Sequence, residues 1–372
     1  MHSELFYIIA LMNIKGVGSI LARHLIDIFG SAEAVFKANA TELNNIPRIG
    51  TTILEQRGNN ALFELAEKEL QFIEQHNIRA LVYGDSDYPK RLLECDDAPA
   101  LLYCLGNADL NAKHIVGIVG TRSCTQYGRE NVEKLVRGLK EALPDIVIVS
   151  GLALGIDITS HVAALNEHAT TFGVVAHGLD QIYPSIHKST ARQMIADGGA
   201  ILTEYSSGTR PERGNFLARN RIIAGLCDAL VVAESKDKGG SLVTASIALD
   251  YNREVFAFPG RTTDDRSLGC NRLIRLNRAG LITCADDLLE AMGWAHTSHN
   301  DRAIQQSIPF EEENLTPNSR LILDTLRDRG DLRLSQLSEL TGIDTATLME
   351  ELLDLELSDR LRATPSGLYQ LR

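Results

Sequence analysis

The stretch HIVGIVGTRSCTQYGRENVEKLVRGLKEALPDIVIVSG, residues 114–151, decides the fold. It begins with an apolar run rich in β-branched residues, continues with an amphipathic segment over 130–143, and ends in a second apolar run over 145–151. Apolar strands separated by a helix run parallel to each other and are covered on both faces of the sheet. The stretch therefore predicts a strand–helix–strand unit of an α/β protein.

The same alternation continues along the chain. Further strands are predicted at 172–178, 200–205, 229–235 and 254–260, with helix-length segments between several of them. We therefore predict a doubly wound, mostly parallel sheet over residues 81–294. Such sheets bind ligands in the loops that follow the carboxyl ends of their strands.

The two flanks of this region have different patterns. Residues 1–80 contain helical stretches with short Gly turns at 14–18 and 46–50, which predict either a helix-hairpin-helix (SAM-like) domain or a merely structural α-hairpin. Residues 295–315 are polar and lack periodicity, as in a linker. Residues 316–372 contain three helical stretches and a short alternating pair, which predict a winged helix. Its seven Arg and no Lys stand against ten Asp and Glu, so a protein-interaction module is favoured over a duplex DNA reader.

Composition narrows the function. The formal net charge of −12 over 372 residues excludes a protein coated in positive charge, so any polyanion site must be local. Six scattered cysteines without a C-x-x-C motif predict reduced thiols rather than a zinc site or disulfides. The N-terminus lacks a basic leader, and no apolar run approaches the roughly 20 residues of a membrane span. A cytoplasmic protein is expected, with no metal and no cofactor.

Cations gather in the loops that follow the predicted strands. Residues 204–222 contain four arginines against two glutamates, together with Phe216 and Asn220. Lys236 and Lys238 follow the next strand, and five further arginines lie within 261–278. Because these loops should meet at one edge of the sheet, they predict a groove for phosphates and stacked bases. The alternative is a set of ordinary solvated charged turns.

Two further segments are ambiguous by themselves. The turn at Gly120–Arg122 leads from a strand into a helix and is suited to a phosphate that Gly120 would let approach, but it is not a G-x-G-x-x-G motif. Asp157 and His161 share a helix face, which suits acid–base or metal chemistry. We favour the alternative, in which Asp157 caps backbone amides and His161 packs beneath the loop. The chain offers binding groups and no assignable catalytic set.

The order of the motifs resembles one family. GTRSCTQYG, SGLALGID, GLDQIYPSIH, ILTEY, NFLARNRIIAGL, KGGSLVTA, REVFAFPG and GCNRLIR, which together cover about 110–283, resemble the bacterial DNA-processing protein A family (DprA, also called Smf). The resemblance implies an extended Rossmann-like domain that binds single-stranded DNA with little sequence preference and forms homodimers. It also implies a non-enzymatic protein that protects incoming DNA and loads the recombinase RecA onto it in natural transformation.

Residues of the family's motifs carry over position by position. The G-[ST]-R turn falls on 120–122, and the N-F-P-x-R-N-R-I segment falls on 215–222, with Leu217 where the family often has Pro. Gly239 occupies the Ser position of the K-S-G-[ST]-L loop. The nucleic-acid-binding residues implied in this way are Gly120, Thr121, Arg122, Gly151, Arg213, Phe216, Arg219, Asn220, Arg221, Lys238, Gly240, Ser241 and Arg272.

A rival hypothesis is an enzyme. Nucleotide-cleaving phosphoribohydrolases share this sheet architecture and have a P-G-G-x-G-T-x-x-E loop. The comparable segment here, 238–249, has Lys238 in place of the Pro and contains no Glu, so the acid–base carboxylate is missing. Release of base from AMP would decide for the enzyme.

Overall fold

The computed structural model describes residues 3–46, 51–294, 315–358, 360–363 and 368–371. The chain divides into two compact units, Met1–His296 and Thr297–Arg372. Almost all of the predicted linker 295–315, and residues 47–50 of the second predicted Gly turn, lie outside the described residues. The boundary expected at residue 80 stays a prediction.

A mostly parallel sheet forms the centre of the first unit. In the described part of this unit its nine strands are β1 (Arg79–Val82), β2 (Leu101–Leu105), β3 (Ile115–Val119), β4 (Val147–Ser150), β5 (Thr170–Val174), β6 (Ala200–Thr203), β7 (Ala229–Val232), β8 (Glu254–Ala257) and β9 (Gly280–Leu281). Their order is β1-β2-β6-β5-β4-β3-β7-β8-β9, and the strands from β6 to β9 are parallel. β1 and β2 add an antiparallel edge.

Helices precede the sheet and connect its strands. Those before the sheet are α1 (Glu4–Met12), α2 (Ser19–Phe29), α3 (Ala32–Lys37), α4 (Ala40–Asn44), α5 (Thr51–Gln56) and α6 (Asn60–Gln75). The later ones are α7 (Lys90–Leu93), α8 (Gln126–Ala142), α9 (Ile156–Asn166), α10 (Lys188–Ala196), α11 (Arg213–Leu226), α12 (Gly240–Asp250), α13 (Leu268–Arg275) and α14 (Ala285–Ala291). None of the helices in the described ranges is both long and apolar enough to cross a bilayer.

The alternation of side chains along the central strand explains why both faces of the sheet are covered. Ile115 and Val119 of β3 belong to a core that includes residues of α11, α12 and α13. Val116 and Ile118 point to the opposite face and join a core with α8, α9 and α14. The predicted doubly wound fold is confirmed.

The first six helices share a core with one edge of the sheet. Phe6 of α1 stacks on Phe63 of α6 with ring centroids 5.7 Å apart. This core continues onto Leu101 and Tyr103 of β2, which are both buried. The apolar faces of the N-terminal helices are thus buried against β2, next to the edge strand β1, as the hydrophobic effect requires.

The chain order produces a crevice at the centre of the sheet. From β3 the strands proceed through β4 and β5 to β6 on one side, after which β7 pairs with β3 on the other side. At such a reversal the loops after the two neighbouring strands diverge, which leaves room for a ligand at their carboxyl ends.

The second unit has its own small core. Its elements are α15 (Pro317–Arg329), β10 (Leu332–Arg333), α16 (Leu334–Thr341), α17 (Thr345–Leu357), β11 (Leu361–Ala363) and β12 (Leu368–Leu371). The strands form a sheet of order β10-β12-β11, and buried leucines fill the space between the helices. Three helices and a pair of strands after them are present in the described part of 316–372, in the predicted order, and the winged-helix assignment stays a prediction.

Candidate nucleic-acid interface

The loops after β3, β4 and β7 and the starts of α11 and α12 enclose a cleft of about 550 Å³. We call it the basic cleft. Of the thirteen predicted binding residues, those that line it are Gly120, Thr121, Arg122, Arg213, Phe216, Arg219, Asn220, Lys238, Gly240 and Ser241. Lys236 lines it too, and Asp157 is the one carboxylate among its described lining residues.

Backbone hydrogen bonds join the loops around the basic cleft. The amide of Thr121 donates to the carbonyl of Glu234 at 2.8 Å, which joins the loop after β3 to the loop after β7. The amide of Ile156 donates to the carbonyl of Thr121 at 3.2 Å, which joins the first loop to the start of α9. The buried Glu234 carboxylate also accepts from the Thr125 amide at 2.8 Å. The cleft is therefore held in shape without a ligand.

Two glycines have a packing role that differs from the predicted one. A Cβ on Gly120 would lie 2.5 Å from Ile156 Cγ1 and 2.9 Å from the Glu234 carbonyl. A Cβ on Gly151 would collide with the Arg219 guanidinium and lie 2.5 Å from an Asp157 oxygen. Both glycines therefore make room for the protein's own groups. Gly120 also lines the cleft, and the approach of a phosphate to it stays a prediction.

Arg122 and an aromatic pair form one wall. The guanidinium of Arg122, whose side chain is exposed, lies 5.1 Å from the centre of the Phe216 ring, within the range of a cation–π contact. The Tyr183 ring is 5.9 Å from the Phe216 ring and is tilted by 54°. The wall thus presents a positive charge and apolar ring surface side by side.

The start of α12 forms the opposite wall. Gly239 is the N-cap residue and gives the helix no side-chain cap, and a Cβ on the exposed Gly240 would meet nothing within 4 Å. The first amides of a helix have no partner within the helix and carry a partial positive charge. The Ser241 hydroxyl is occupied, since it donates to Ser235 Oγ at 2.9 Å. Backbone amides, more than this hydroxyl, are therefore the donors available here.

Arg219 lies beneath the cleft rather than on its wall. Its side chain is only 3% exposed, its Nη1 donates to the Val174 carbonyl at 2.7 Å, and its Nε has no hydrogen-bond partner among the described residues. Burial lowers the pKa of Arg219 and raises the pKa of the neighbouring Asp157 carboxyl. The opposite charges of the two groups oppose these shifts. We expected Arg219 to contact a phosphate at the surface. The structure places it instead at the floor of the basic cleft, where its side chain is buried.

Besides Gly151, two predicted arginines lie outside the basic cleft. Arg221 pairs with the Glu204 carboxylate and borders a separate groove with Asp97 and the Gly16–Gly18 turn. Arg272 pairs with Asp237, with Nη1 2.7 Å from Oδ1. The expectation that these guanidinium groups join the others at one site is wrong, because neighbouring carboxylates hold them elsewhere.

The predicted burial of His161 is confirmed, and Asp157 accepts from one backbone amide, that of Ala153, which precedes α9. The Ala153 amide donates to Asp157 Oδ2 at 3.4 Å, and His161 is fully buried with Nδ1 2.7 Å from Thr171 Oγ1. Because that hydroxyl donates to the Ile148 carbonyl, the imidazole Nδ1 carries the proton. Burial lowers the pKa of His161 to about 3, so the ring is neutral and structural.

A sequence model of the DNA recombination-mediator protein A family matches residues 79–293. The chain belongs to this family. Protein Smf of Synechocystis sp. is 33% identical over the whole of both chains. The X-ray structure of DprA from Streptococcus pneumoniae, at 34% identity and a TM-score of 0.63, covers 78% of this chain and 98% of its own. A second solved structure is DNA processing protein A from Helicobacter pylori, which is described for its single-stranded DNA binding mode. It has 32% identity and a TM-score of 0.52, and it covers 59% of this chain and 97% of its own.

The structure explains one departure of this chain from the family pattern. A Cβ on Gly239 would collide with the Ser235 hydroxyl. A serine at this position would therefore require Ser235 to move, and it would then compete with Ser241 for the same partner. The other departure, Leu217, lines the basic cleft and is 49% exposed.

Lys236 and Tyr183 are absent from the thirteen residues predicted for this family member. Lys236 lies in the loop after β7 and was recognisable as a cation in a loop after a strand. Tyr183 lies in the loop between β5 and α10, where it is 49% exposed. An aromatic residue in that loop was the available signal, although the contact with Phe216 requires the fold.

Proposed function

We propose that this protein binds single-stranded DNA in the basic cleft through the sugar-phosphate backbone. The observation that carries the proposal is the composition of the cleft. The exposed cations Arg122, Arg213, Lys236 and Lys238 surround one buried carboxylate, in a chain whose net charge is −12. A local positive potential of this kind attracts a polyanion that the rest of the surface repels.

An unpaired strand fits this surface better than a duplex. Binding of single strands without sequence preference combines a cationic groove with aromatic rings on which bases stack. Phe216 and Tyr183 lie beside Arg122. In a duplex the faces of the bases are already stacked on each other. The single-stranded DNA binding described for the Helicobacter pylori relative supports the same ligand.

The cleft favours binding over hydrolysis. The lining carboxylate, Asp157, is 8% exposed, accepts a hydrogen bond from the Ala153 amide and adjoins Arg219. A general acid or base must be free to exchange the proton that it transfers, whereas Asp157 is already engaged by the Ala153 amide and by the charge of Arg219. The protein is thus proposed to act without catalysis, and release of adenine from AMP would contradict this.

We further propose that the bound strand is protected and loaded with RecA recombinase during natural transformation, and that the protein acts as a homodimer. Both proposals rest on membership of the recombination-mediator family. Sedimentation at micromolar concentration tests the dimer, and a monomer there contradicts it. Faster RecA filament formation on a coated single strand in the presence of the protein tests the loading.

Fluorescence anisotropy with labelled single- and double-stranded oligonucleotides tests the cleft itself. The Arg213→Ala/Lys238→Ala variant removes two exposed cations of the cleft, and the charge-matched control Lys134→Ala/Arg137→Ala removes two exposed cations of α8. We expect single-strand affinity to fall only in the cleft variant. Equal losses in both variants would show that net charge, rather than the basic cleft, governs binding.

A further inference from the structure

Exposed apolar side chains continue from the basic cleft onto the neighbouring loop. Beside Phe216, Tyr183 is 49% exposed, and Ile186, three residues further along the chain, is 75% exposed. Large apolar groups at this level of exposure that adjoin a polar rim mark an interaction surface. Because Tyr183 contacts a residue of the cleft, the apolar surface is continuous with the cationic one.

Two side chains of the protein already lie beside the Phe216 ring. The Arg122 guanidinium lies over it at 5.1 Å, and the Tyr183 ring approaches it at 5.9 Å. Phe216 is half-buried, whereas about half of the Tyr183 surface reaches solvent. Of the two rings, Tyr183 therefore offers the larger exposed surface to a base.

The loop that carries Tyr183 is held in position from both sides. The Tyr183 amide donates to Nε2 of the buried His177 at 3.1 Å. Gln181 donates to the Thr209 carbonyl at 3.1 Å, and the His187 ring nitrogen Nδ1 is 2.8 Å from the Leu152 carbonyl oxygen. Because the backbone of the loop is already held in position, little conformational entropy of the loop is lost when a base stacks on the Tyr183 ring.

We propose that Tyr183 is the base-stacking residue of this protein and that Phe216 supports it from behind. The bases of a single strand whose phosphates occupy the basic cleft turn toward Tyr183 and Ile186, and one base stacks on the Tyr183 ring. The inference rests on the proposed single-strand binding and adds the site that receives the base. Any nucleobase satisfies it, because stacking requires only a flat ring.

The test compares an oligothymidylate with an abasic strand that has the same number of phosphates. We expect the wild type to bind the base-containing strand more tightly. Tyr183→Ala should weaken oligothymidylate binding by about fivefold to 100-fold while leaving abasic binding and the salt dependence unchanged. Tyr183→Phe retains the ring and should bind like the wild type. Leu65→Ala, which truncates a 49% exposed apolar side chain of α6, is the matched control.

Each outcome separates the two proposals. If Tyr183→Ala binds oligothymidylate as the wild type does while Arg213→Ala/Lys238→Ala binds weakly, the stacking role is refuted and cleft binding stands. If Tyr183→Ala weakens both strands equally, the residue acts on the shape of the cleft rather than on a base, and the inference is overturned. If the wild type binds neither strand, the proposed function fails first. Equal thermal unfolding of all variants verifies that the comparison concerns folded protein.

Discussion

Replacement of Arg122 by Ala should change how strongly DNA binding depends on salt. Among the described residues that line the basic cleft, the exposed cations are Arg122, Arg213, Lys236 and Lys238. If each neutralises one phosphate of a single strand, the slope of log K against log salt is about −0.7 × 4, or roughly −2.8. Without Arg122 it becomes about −2.1. Between about 50 and 200 mM salt, the wild type should lose roughly 50-fold in affinity and the variant roughly 20-fold.

Anisotropy titrations at several salt concentrations measure both slopes. The matched control is Arg137→Ala, because Arg137 is exposed on α8 and pairs with Glu167 at 2.9 Å. Arg122→Lys retains the charge and should keep the wild-type slope, although it loses the planar group above Phe216. A slope that is unchanged in Arg122→Ala, or changed equally in Arg137→Ala, would refute the assignment of a phosphate to Arg122.

Three further predictions concern the floor and rim of the cleft. Arg219→Ala leaves the buried Asp157 without its cation, so the free energy of unfolding in urea should fall by about 3 kcal/mol, and an unchanged midpoint would contradict this. The pKa of His161 is about 3 in the folded state and about 6.5 when unfolded, so the unfolded state binds more protons between these values. The contribution of His161 to the free energy of unfolding is therefore fully present above about pH 6.5. It decreases by about 1.4 kcal/mol per pH unit as the pH falls toward 3. His161→Gln should remove this part of the pH dependence, and an identical profile would show that another group causes it. Gly151→Ala should unfold at a lower temperature than the wild type, because its Cβ meets Arg219. Gly240→Ala should keep the wild-type stability and bind single strands more weakly. A stable Gly151→Ala variant together with a destabilised Gly240→Ala variant would contradict both assignments.

The sequence pattern predicted the central strands of the sheet but not the strands at its edges. β3, β4 and β7 are short runs of apolar, mostly β-branched residues and are buried on both faces, so composition alone reveals them. β1 and β2 pair antiparallel, and the helices that cover β2 lie earlier in the chain. The sequence pattern within a short segment does not show packing against helices that are distant in the chain. Neither β1 nor β2 was therefore predicted.

The cleft was predictable because position within a parallel sheet decides which loops meet. Arg122 follows β3, Lys236 and Lys238 follow β7, and Arg213 begins α11 after β6. The roles of Gly120 and Gly151 were not predictable, because the same Gly is required whether a ligand or a side chain fills the space. Only the position of Arg219 and Ile156 distinguishes the two cases.

Arg219 and Arg221 are two residues apart in the ARNRI segment, yet they do not face the same site. Residues that are close in the sequence therefore need not bind the same ligand. Residues two apart on a helix are separated by about 200° around its axis and do not face each other. Arg219 consequently turns under the basic cleft toward Val174, and Arg221 turns away toward Glu204. A cationic side chain is available to DNA only where no carboxylate or carbonyl group of the protein already binds it. In this chain those cations come from separate loops, so phosphate binding should depend on the integrity of the sheet that brings the loops together.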